Sequence, residues 1–262
     1  MLRKLMKYEF KSTARLLLPL YGALLVLSLI CKLFIGTNLD GANMSFLGGI
    51  PAKLSIAAYV ITMVAVIIVT FIIIIQRFYK NLLCDEGYLM NTLPVSVWKN
   101  ITSKLVVATV WSIVSVVVAM LSILIMAYSP GVINEIMVEI SQIFSEGYSQ
   151  IGVSVYIIPI ELIILGLVQT ILGTITIYTS ISLGHLANKR KILSSFGAYI
   201  VINMIINTIV GIVTPMFVTA LEGESISSIN GCLTLVIIIS VVLSAGLFAV
   251  CNYILKNKLN LE

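Results

Sequence analysis

An uninterrupted apolar stretch decides the fold of this chain: residues 64–75 read VAVIIVTFIIII. It lies inside a longer uncharged segment, 54–76, that can cross a bilayer core of about 30 Å at about 1.5 Å per residue. Its β-branched residues would favour strands in water, but in lipid every backbone group must find its partner within the segment, so a helix is expected. The stretch also lacks the alternating polarity of a membrane β-barrel strand. The segment is therefore predicted to be a transmembrane helix.

Further segments have the same character, which predicts an all-α, polytopic membrane protein. The six predicted spans are 16–36, 54–76, 105–128, 155–183, 193–219 and 231–255. The composition agrees, because 60% of the 262 residues are hydrophobic and only 10% are charged, whereas soluble domains carry about 25% charged residues. We expect a single transmembrane domain over 1–262.

The basic residues are distributed unevenly between the connections, and this predicts the topology. With both termini inside, the cytoplasmic side holds five Lys or Arg residues at the N-terminus, four between the second and third spans, three between the fourth and fifth, and two at the C-terminus. This distribution satisfies the positive-inside rule. The chain is therefore expected in the plasma membrane, multi-pass, with both termini cytoplasmic.

Two other segments are predicted to be helices at the membrane interface. Residues 1–11, MLRKLMKYEFK, place apolar and basic residues on different faces of a helix, which is suited to an anionic inner leaflet. A frayed basic tail is the alternative. Residues 132–147, VINEIMVEISQIFSEG, carry apolar residues at helical spacing opposite acidic and amide residues. This pattern predicts a helix packed across the outer mouth.

Signals of enzymatic or metal chemistry are absent from the sequence. It contains no phosphate-binding loop, no H-E-x-x-H and no G-x-S-x-G. One histidine and four scattered cysteines do not make a zinc or haem motif. The basic residues are not interleaved with aromatic residues, so nucleic-acid binding is not expected. We predict no catalytic residue, metal or cofactor, and leave open a disulfide between Cys31 and Cys232.

Polar side chains inside two of the predicted spans are candidates for function. Gln169 and Thr176 share one face of the fourth span, while Asn203 and Asn207 share one face of the fifth. Glu161 is an acid near the outer end of the fourth span, and an acid within a membrane is a functional candidate by default. Because amides and hydroxyls avoid lipid, these residues either pack helices together or line a substrate path or a dimer interface. Both interpretations remain open.

The connection 84–105, CDEGYLMNTLPVSVWKNITSKL, contains residues that typically end one helix and begin another. Gly87 can end the helix that leaves the second span, and Pro94 ends the apolar stretch that follows. Ser96 can cap a new helix into the third span. The pattern predicts a short transverse helix that exposes apolar side chains to the cytosol, and such exposure indicates a partner protein.

This loop resembles the one that follows the second span in the permeases of type-2 ATP-binding-cassette (ABC) exporters. In that family, an acidic residue and a glycine precede a short apolar stretch, a proline, a small or hydroxyl residue and a later lysine. The matching residues here are Asp85, Glu86, Gly87, Tyr88, Leu89, Met90, Pro94, Val95, Ser96 and Lys104. The motif covers about 20 residues, while the six-span plan matches over the whole chain. The short connection 37–53 is similar to that of compact bacterial members.

The resemblance implies a permease subunit of an exporter, without ATPase activity of its own. Two copies, or one copy and a homologue, would pair as a dimer in the bilayer, and each would bind a separate cytoplasmic ABC ATPase subunit. The residues that it assigns to this coupling are Asp85, Glu86, Gly87, Tyr88, Leu89, Met90, Leu93 and Pro94. The alternative is a non-transport membrane scaffold or immunity protein without an ATPase partner. The transported substrate is not identified by the sequence.

Overall fold

The computed structural model describes residues 2–39, 49–83, 96–128, 131–187, 190–222 and 226–258. Every regular element within these ranges is an α-helix, which confirms the predicted all-α class. The short transverse helix predicted between the second and third spans lies outside the described residues.

Seven helices occur in the part of the chain that the structure describes, and six of them are long and apolar enough to cross a membrane. The six are α1 (Leu2–Leu39), α2 (Gly49–Leu83), α3 (Val97–Ala127), α5 (Ser154–Gly184), α6 (Lys191–Glu222) and α7 (Ile226–Asn257). The seventh, α4 (Val132–Ile151), is the amphipathic helix predicted between the third and fourth spans. The predicted multi-pass membrane architecture is thus confirmed.

Each of the six helices is longer than the apolar segment that predicted it. α1 has 38 residues, or about 57 Å, which exceeds the roughly 40–45 Å of a whole bilayer. It begins at Leu2, so the predicted amphipathic N-terminal helix continues without a break into the first span. α3 begins directly after Ser96, as predicted, and the Lys99 N–H donates to the Ser96 carbonyl at 2.9 Å. Hydropathy marks only the part of a helix that fits the hydrocarbon, which explains the difference.

Hydroxyl groups inside the spans are satisfied by their own helices. Thr62 donates to the Ala58 carbonyl at 2.8 Å, and Thr70 donates to the Val66 carbonyl at 2.7 Å. Lipid offers no hydrogen-bond partner, so this bonding to the preceding turn lets hydroxyls lie within apolar helices.

The helices form two compact units, of which the first comprises 1–76 and 106–136. Its core contains Leu17, Tyr21 and Leu24 of α1, together with Val66 of α2 and Trp111 of α3. The Tyr21 hydroxyl donates to the Trp111 carbonyl at 3.4 Å. Aromatic and branched side chains from three helices therefore hold this unit together.

The second unit comprises 77–105 and 137–262. Here α5 packs against both α6 and α7, and α6 packs against α7. The backbones of α5 and α6 approach each other closely at Gly184, where an added Cβ would collide with the backbone and side chain of Ser195. Only glycine fits this position without a shift of the neighbouring chain. The single domain expected over 1–262 stays a prediction.

The cysteines in the described residues are reduced. Cys31, Cys232 and Cys251 are buried free thiols, so the disulfide left open between Cys31 and Cys232 is not formed. The Cys31 thiol instead donates to the Ser55 carbonyl at 3.1 Å. These cysteines behave as small, largely apolar side chains in helices.

Candidate functional site

The segment predicted to bind a partner is bracketed by two described stretches, both of which belong to the second unit. These are the end of α2, residues 77–83, and residues 96–105 at the start of α3. The eight residues assigned to coupling lie between them and outside the described residues; they are Asp85, Glu86, Gly87, Tyr88, Leu89, Met90, Leu93 and Pro94. The site can therefore be described through its flanks.

The flank on α2 is anchored to α5 by an aromatic stack. The Phe78 and Tyr178 rings are stacked, with their centroids 3.9 Å apart and their planes 10° apart. Both side chains are completely buried or nearly so. Such a pair contributes roughly 0.5–1.5 kcal/mol beyond the burial of its area. The end of α2 is thus held against the second half of α5.

The flank on α3 contacts the same tyrosine. The Tyr178 hydroxyl donates to the Lys104 carbonyl at 3.5 Å, a long hydrogen bond that is buried. Ile101 and Lys104 of this flank are buried as well. Tyr178 therefore touches both segments that lead into and out of the predicted coupling loop, one through its ring face and the other through its hydroxyl.

A second contact lies next to this one, at the end of α5. The rings of Tyr79 and His185 are 5.2 Å apart and inclined by 58°. Burial, with a smaller contribution from the charge of Lys191, lowers the pKa of His185 below its usual value. The His185 Nε2 atom is buried and has no hydrogen-bond partner in the described residues. The fold therefore disfavours the charged form of this histidine.

An open groove of about 680 Å³ adjoins Tyr79. Its other lining residues are Arg190, Lys191, Ile192, Leu193 and Phe196, at the start of α6. The large apolar members of this set, Ile192, Leu193 and Phe196, are exposed. The surface next to the flanks of the predicted coupling loop is thus partly apolar and partly positively charged.

The five polar candidates inside the spans do not form one cluster. Glu161 and Thr176 are about 22 Å apart along α5, at about 1.5 Å per residue. Gln169 donates to Ser240 of α7 at 3.1 Å, whereas the Asn203 amide donates to a carbonyl of its own helix at 2.9 Å. Thr176 is buried, and Asn207 is exposed. Gln169 is thus the member of this set that links α5 to α7.

Glu161 has a distinct environment within this set. Its side chain is half-buried, and one of its carboxylate oxygens is buried without a hydrogen-bond partner in the described residues. A buried polar atom without a partner is unusual and commonly marks a bound water, an ion or a functional role.

A polar seam joins α5 to α7. Besides the Gln169–Ser240 contact, the Thr179 hydroxyl is shared between the Ile175 carbonyl of its own helix at 2.8 Å and the Leu247 carbonyl of α7 at 3.1 Å. The Ser182 hydroxyl lies 3.5 Å from the Cys251 sulfur. Polar contacts of this kind hold transmembrane helices together where lipid provides no hydrophobic driving force. We call these three pairs the α5–α7 seam.

Sequence reasoning missed most of these contact residues. Thr179 and Ser182 were not selected, although the dense hydroxyl stretch TITIYTSIS, residues 174–182, was a signal for a packed helix face. Tyr178 was missed too, although it is the one aromatic residue in that stretch. Nothing in the sequence marked Phe78 as a contact residue, because aromatic residues are common near a membrane interface.

Comparison with known proteins adds no further assignment. No sequence model of a known family matches the chain, and no match is found among curated proteins or solved structures. Within the described residues, no group of three His, Cys, Asp or Glu side chains could hold a metal ion. Function is therefore inferred from the sequence pattern and the geometry of the chain itself.

Proposed function

We propose that this chain is the membrane-spanning permease subunit of an ATP-driven exporter, and that it couples to a separate cytoplasmic ATPase through residues 85–94. Two copies, or one copy and a homologue, pair in the plasma membrane with both termini in the cytoplasm. ATP is hydrolysed on the partner chain. The observation that best supports this function is that both flanks of the loop meet at Tyr178 of α5.

The first step of coupling is docking of the loop. Leu89 and Met90 fill an apolar groove on the ATPase, while Asp85 and Glu86 meet basic or backbone groups at its rim. Apolar side chains that project from a loop into water are stabilised when a partner covers them. Closure of the ATPases on ATP then moves the loop.

The second step is transfer of this motion into the spans. A displacement of the α2 flank moves Phe78, whose ring lies against Tyr178 at 3.9 Å. A displacement of the α3 flank acts on the same ring through Lys104. Because packed interiors are stiff, α5 shifts with the loop, and α6 and α7, which pack against α5, respond. Packed helices that slide or tilt in this way can open a path.

The path itself is assigned to polar residues of α5 and α6. Gln169, Thr176, Asn203, Asn207 and Glu161 are its candidate lining. The four uncharged members would suit a substrate with apolar and polar parts, since amides and hydroxyls offer hydrogen bonds without a fixed charge, and Glu161 adds one acid.

Co-purification tests the function directly. We expect the chain to co-purify with the ATPase encoded near its gene and to support ATP-dependent export with it. Leu89→Arg and Met90→Arg should each abolish the complex. Leu186→Arg is the matched control, because it makes the same change as Leu89→Arg at an exposed residue of another connection that is predicted to be cytoplasmic, outside the groove beside Tyr79, and it should leave the complex intact.

Two results would contradict the proposal. One is an intact complex and normal export with both loop variants, which would remove residues 85–94 from coupling. The other is a folded chain that binds no ATPase, which would favour the alternative of a non-transport scaffold or immunity protein.

A further inference from the structure

A groove in the first unit combines positive charge with an apolar floor. It has a volume of about 510 Å³, within the range of about 300–1,000 Å³ that is usual for ligand sites. It lies between the start of α1 and residues 106–110 of α3. Its lining residues are Arg3, Met6, Lys7, Phe10, Lys11, Val106, Val107 and Val110.

The charged side of this groove carries three cations. Arg3, Lys7 and Lys11 follow one another at intervals of four residues, so they lie on one line along α1, and all three are exposed. Glu9 is the only acidic residue of α1, but it is buried and does not line the groove. The rim is therefore positive along its length.

The floor of the groove is apolar and firmly built. Val106 and Val110 contribute aliphatic surface from α3, and the Phe10 ring stacks on Trp111 with centroids 4.7 Å apart. This stack fixes the start of α1 against α3, so the groove is formed before any ligand arrives. An inorganic phosphate or a soluble anion would use the rim but leave the floor uncovered.

The position along the helices matches a membrane interface. The apolar segments that predict the first and third spans begin at residues 16 and 105. We therefore expect Val106 and Val110 at the edge of the hydrocarbon, and Lys7 and Lys11 at the level of the headgroups. A cation that contacts lipid from this side meets the phosphate layer.

We propose that this groove binds one anionic phospholipid. The headgroup phosphate lies among Arg3, Lys7 and Lys11, and part of one acyl chain lies along Phe10, Val106 and Val110. A zwitterionic lipid could place an acyl chain on the apolar floor, but its headgroup would bring no net negative charge to the three cations. This site does not depend on the proposed exporter function.

The first test compares two double variants of the full chain by native mass spectrometry. Phosphatidylglycerol and phosphatidylcholine with identical acyl chains are the probes, and glycerol 3-phosphate serves as the free headgroup. Lys7→Gln with Lys11→Gln should weaken binding of phosphatidylglycerol roughly 25-fold, because each cation near an anionic lipid surface is worth about fivefold. The control, Lys4→Gln with Arg15→Gln, removes two exposed cations of α1 that do not line the groove, and should weaken binding less than about threefold.

The outcomes separate a built site from general attraction. Equal losses in the two double variants would overturn the proposal, since general attraction to α1 would then explain the binding. Binding of glycerol 3-phosphate as tight as that of the lipid would also overturn it, because the apolar floor would then play no part. Preference for phosphatidylglycerol over phosphatidylcholine in the wild-type chain supports it.

A second pair of variants tests the floor without changing any charge. Val110→Trp should fill the groove and reduce binding of phosphatidylglycerol at least about tenfold. Val116→Trp makes the same change at an exposed residue of α3 outside the groove and should leave binding unchanged. Equal binding by the two variants would contradict the proposal, and helical circular dichroism confirms that both are folded.

Discussion

The Phe78 ring lies parallel to the Tyr178 ring at 3.9 Å, which joins the end of α2 to α5 directly beside the predicted coupling loop. Tyr178 also donates to the Lys104 carbonyl at the start of α3. One buried side chain thus connects the two flanks of the loop with the helix group α5–α7.

Truncation of Tyr178 should therefore affect both stability and coupling. We expect Tyr178→Ala to lower the free energy of unfolding by about 3–5 kcal/mol, as for other buried aromatic side chains, and to uncouple ATP hydrolysis from export. Tyr178→Phe is the matched control, since it removes only the hydroxyl and should lose at most about 1 kcal/mol. Thermal unfolding in detergent and ATP-driven export measure the two effects. Normal coupling by a folded Tyr178→Ala chain would contradict the role given to this residue.

Gly184 is required by its close approach to Ser195. We expect Gly184→Ala to destabilise the chain, because the added Cβ would meet the backbone of α6, with a loss of about 1–3 kcal/mol. Gly173→Ala is the control on the same helix, where a Cβ meets nothing within 4 Å. That change should be neutral or slightly stabilising, since alanine favours helix over glycine. Unfolding midpoints in detergent compare the two, and equal midpoints would show that the approach is not tight.

The α5–α7 seam should respond to the loss of a single hydroxyl. Thr179→Val removes the hydroxyl that is shared between the Ile175 carbonyl of α5 and the Leu247 carbonyl of α7, and should lower the free energy of unfolding by about 0.6 kcal/mol and at most about 2 kcal/mol. Thr170→Val is the control, because Thr170 donates to a carbonyl of its own helix. Steric-trap or denaturant unfolding in bicelles can measure this difference. If the two variants lose the same stability, the α5–α7 seam would stabilise the chain through side-chain packing and not through hydrogen bonds.

The low pKa of His185 predicts a pH dependence of stability. The folded state binds the proton less readily than the unfolded state, so the contribution of His185 is present in full above the unfolded pKa of about 6.5 and is lost as the pH falls below it. Wild type should therefore lose more stability than His185→Gln between about pH 7.5 and about pH 5.5. The unfolding midpoints of both chains at the two pH values provide the measurement. Identical pH dependence in the two chains would show that the burial of His185 does not contribute to the pH dependence of the free energy of unfolding.

The proposed path predicts access of water to one face of α6. Asn207→Cys and Asn203→Cys should react with a water-soluble thiol reagent in intact membranes. Met204→Cys is the control on the same helix, at a residue that is exposed in the chain and is expected to face lipid. Among the described residues, the native Cys31, Cys232 and Cys251 are buried. Cys84 lies outside the described residues and is replaced by serine in every variant, so that its thiol does not contribute to the labelling. Unreactive cysteines at both asparagine positions would remove these residues from a path and leave helix packing as their role.

Much of the architecture followed from the sequence. Uncharged runs such as 64–75 have one low-energy conformation in lipid, a helix, because backbone groups there have no other partners. Amphipathic spacing likewise predicts α4, from the helical recurrence of its apolar residues. Helix ends were less accurate, since α1 and α2 continue past the apolar segments into the interface, where polar and apolar residues are both tolerated.

The contacts between helices could not be read from the pattern. Hydropathy does not say which face of an apolar helix meets a neighbour, because lipid and protein interior are equally apolar. The sequence selected Gln169 and Thr176 on polarity alone. In the structure, Gln169 donates a hydrogen bond to α7, whereas Thr176 donates one within its own helix. It could not select Phe78 as a partner of Tyr178, since the two residues are a hundred positions apart in the sequence.

By itself, then, the sequence determined the six apolar helices and the amphipathic α4, because each depends on local composition and on the lack of water in a bilayer. Only the tertiary structure decided that Tyr178 contacts both the end of α2 and the start of α3, that polar groups of α5 form a seam with α7, and that Arg3, Lys7 and Lys11 border an apolar groove. These features depend on the packing of side chains from helices that are distant in sequence, and the physical reason is that shape complementarity selects one arrangement among many with similar hydropathy.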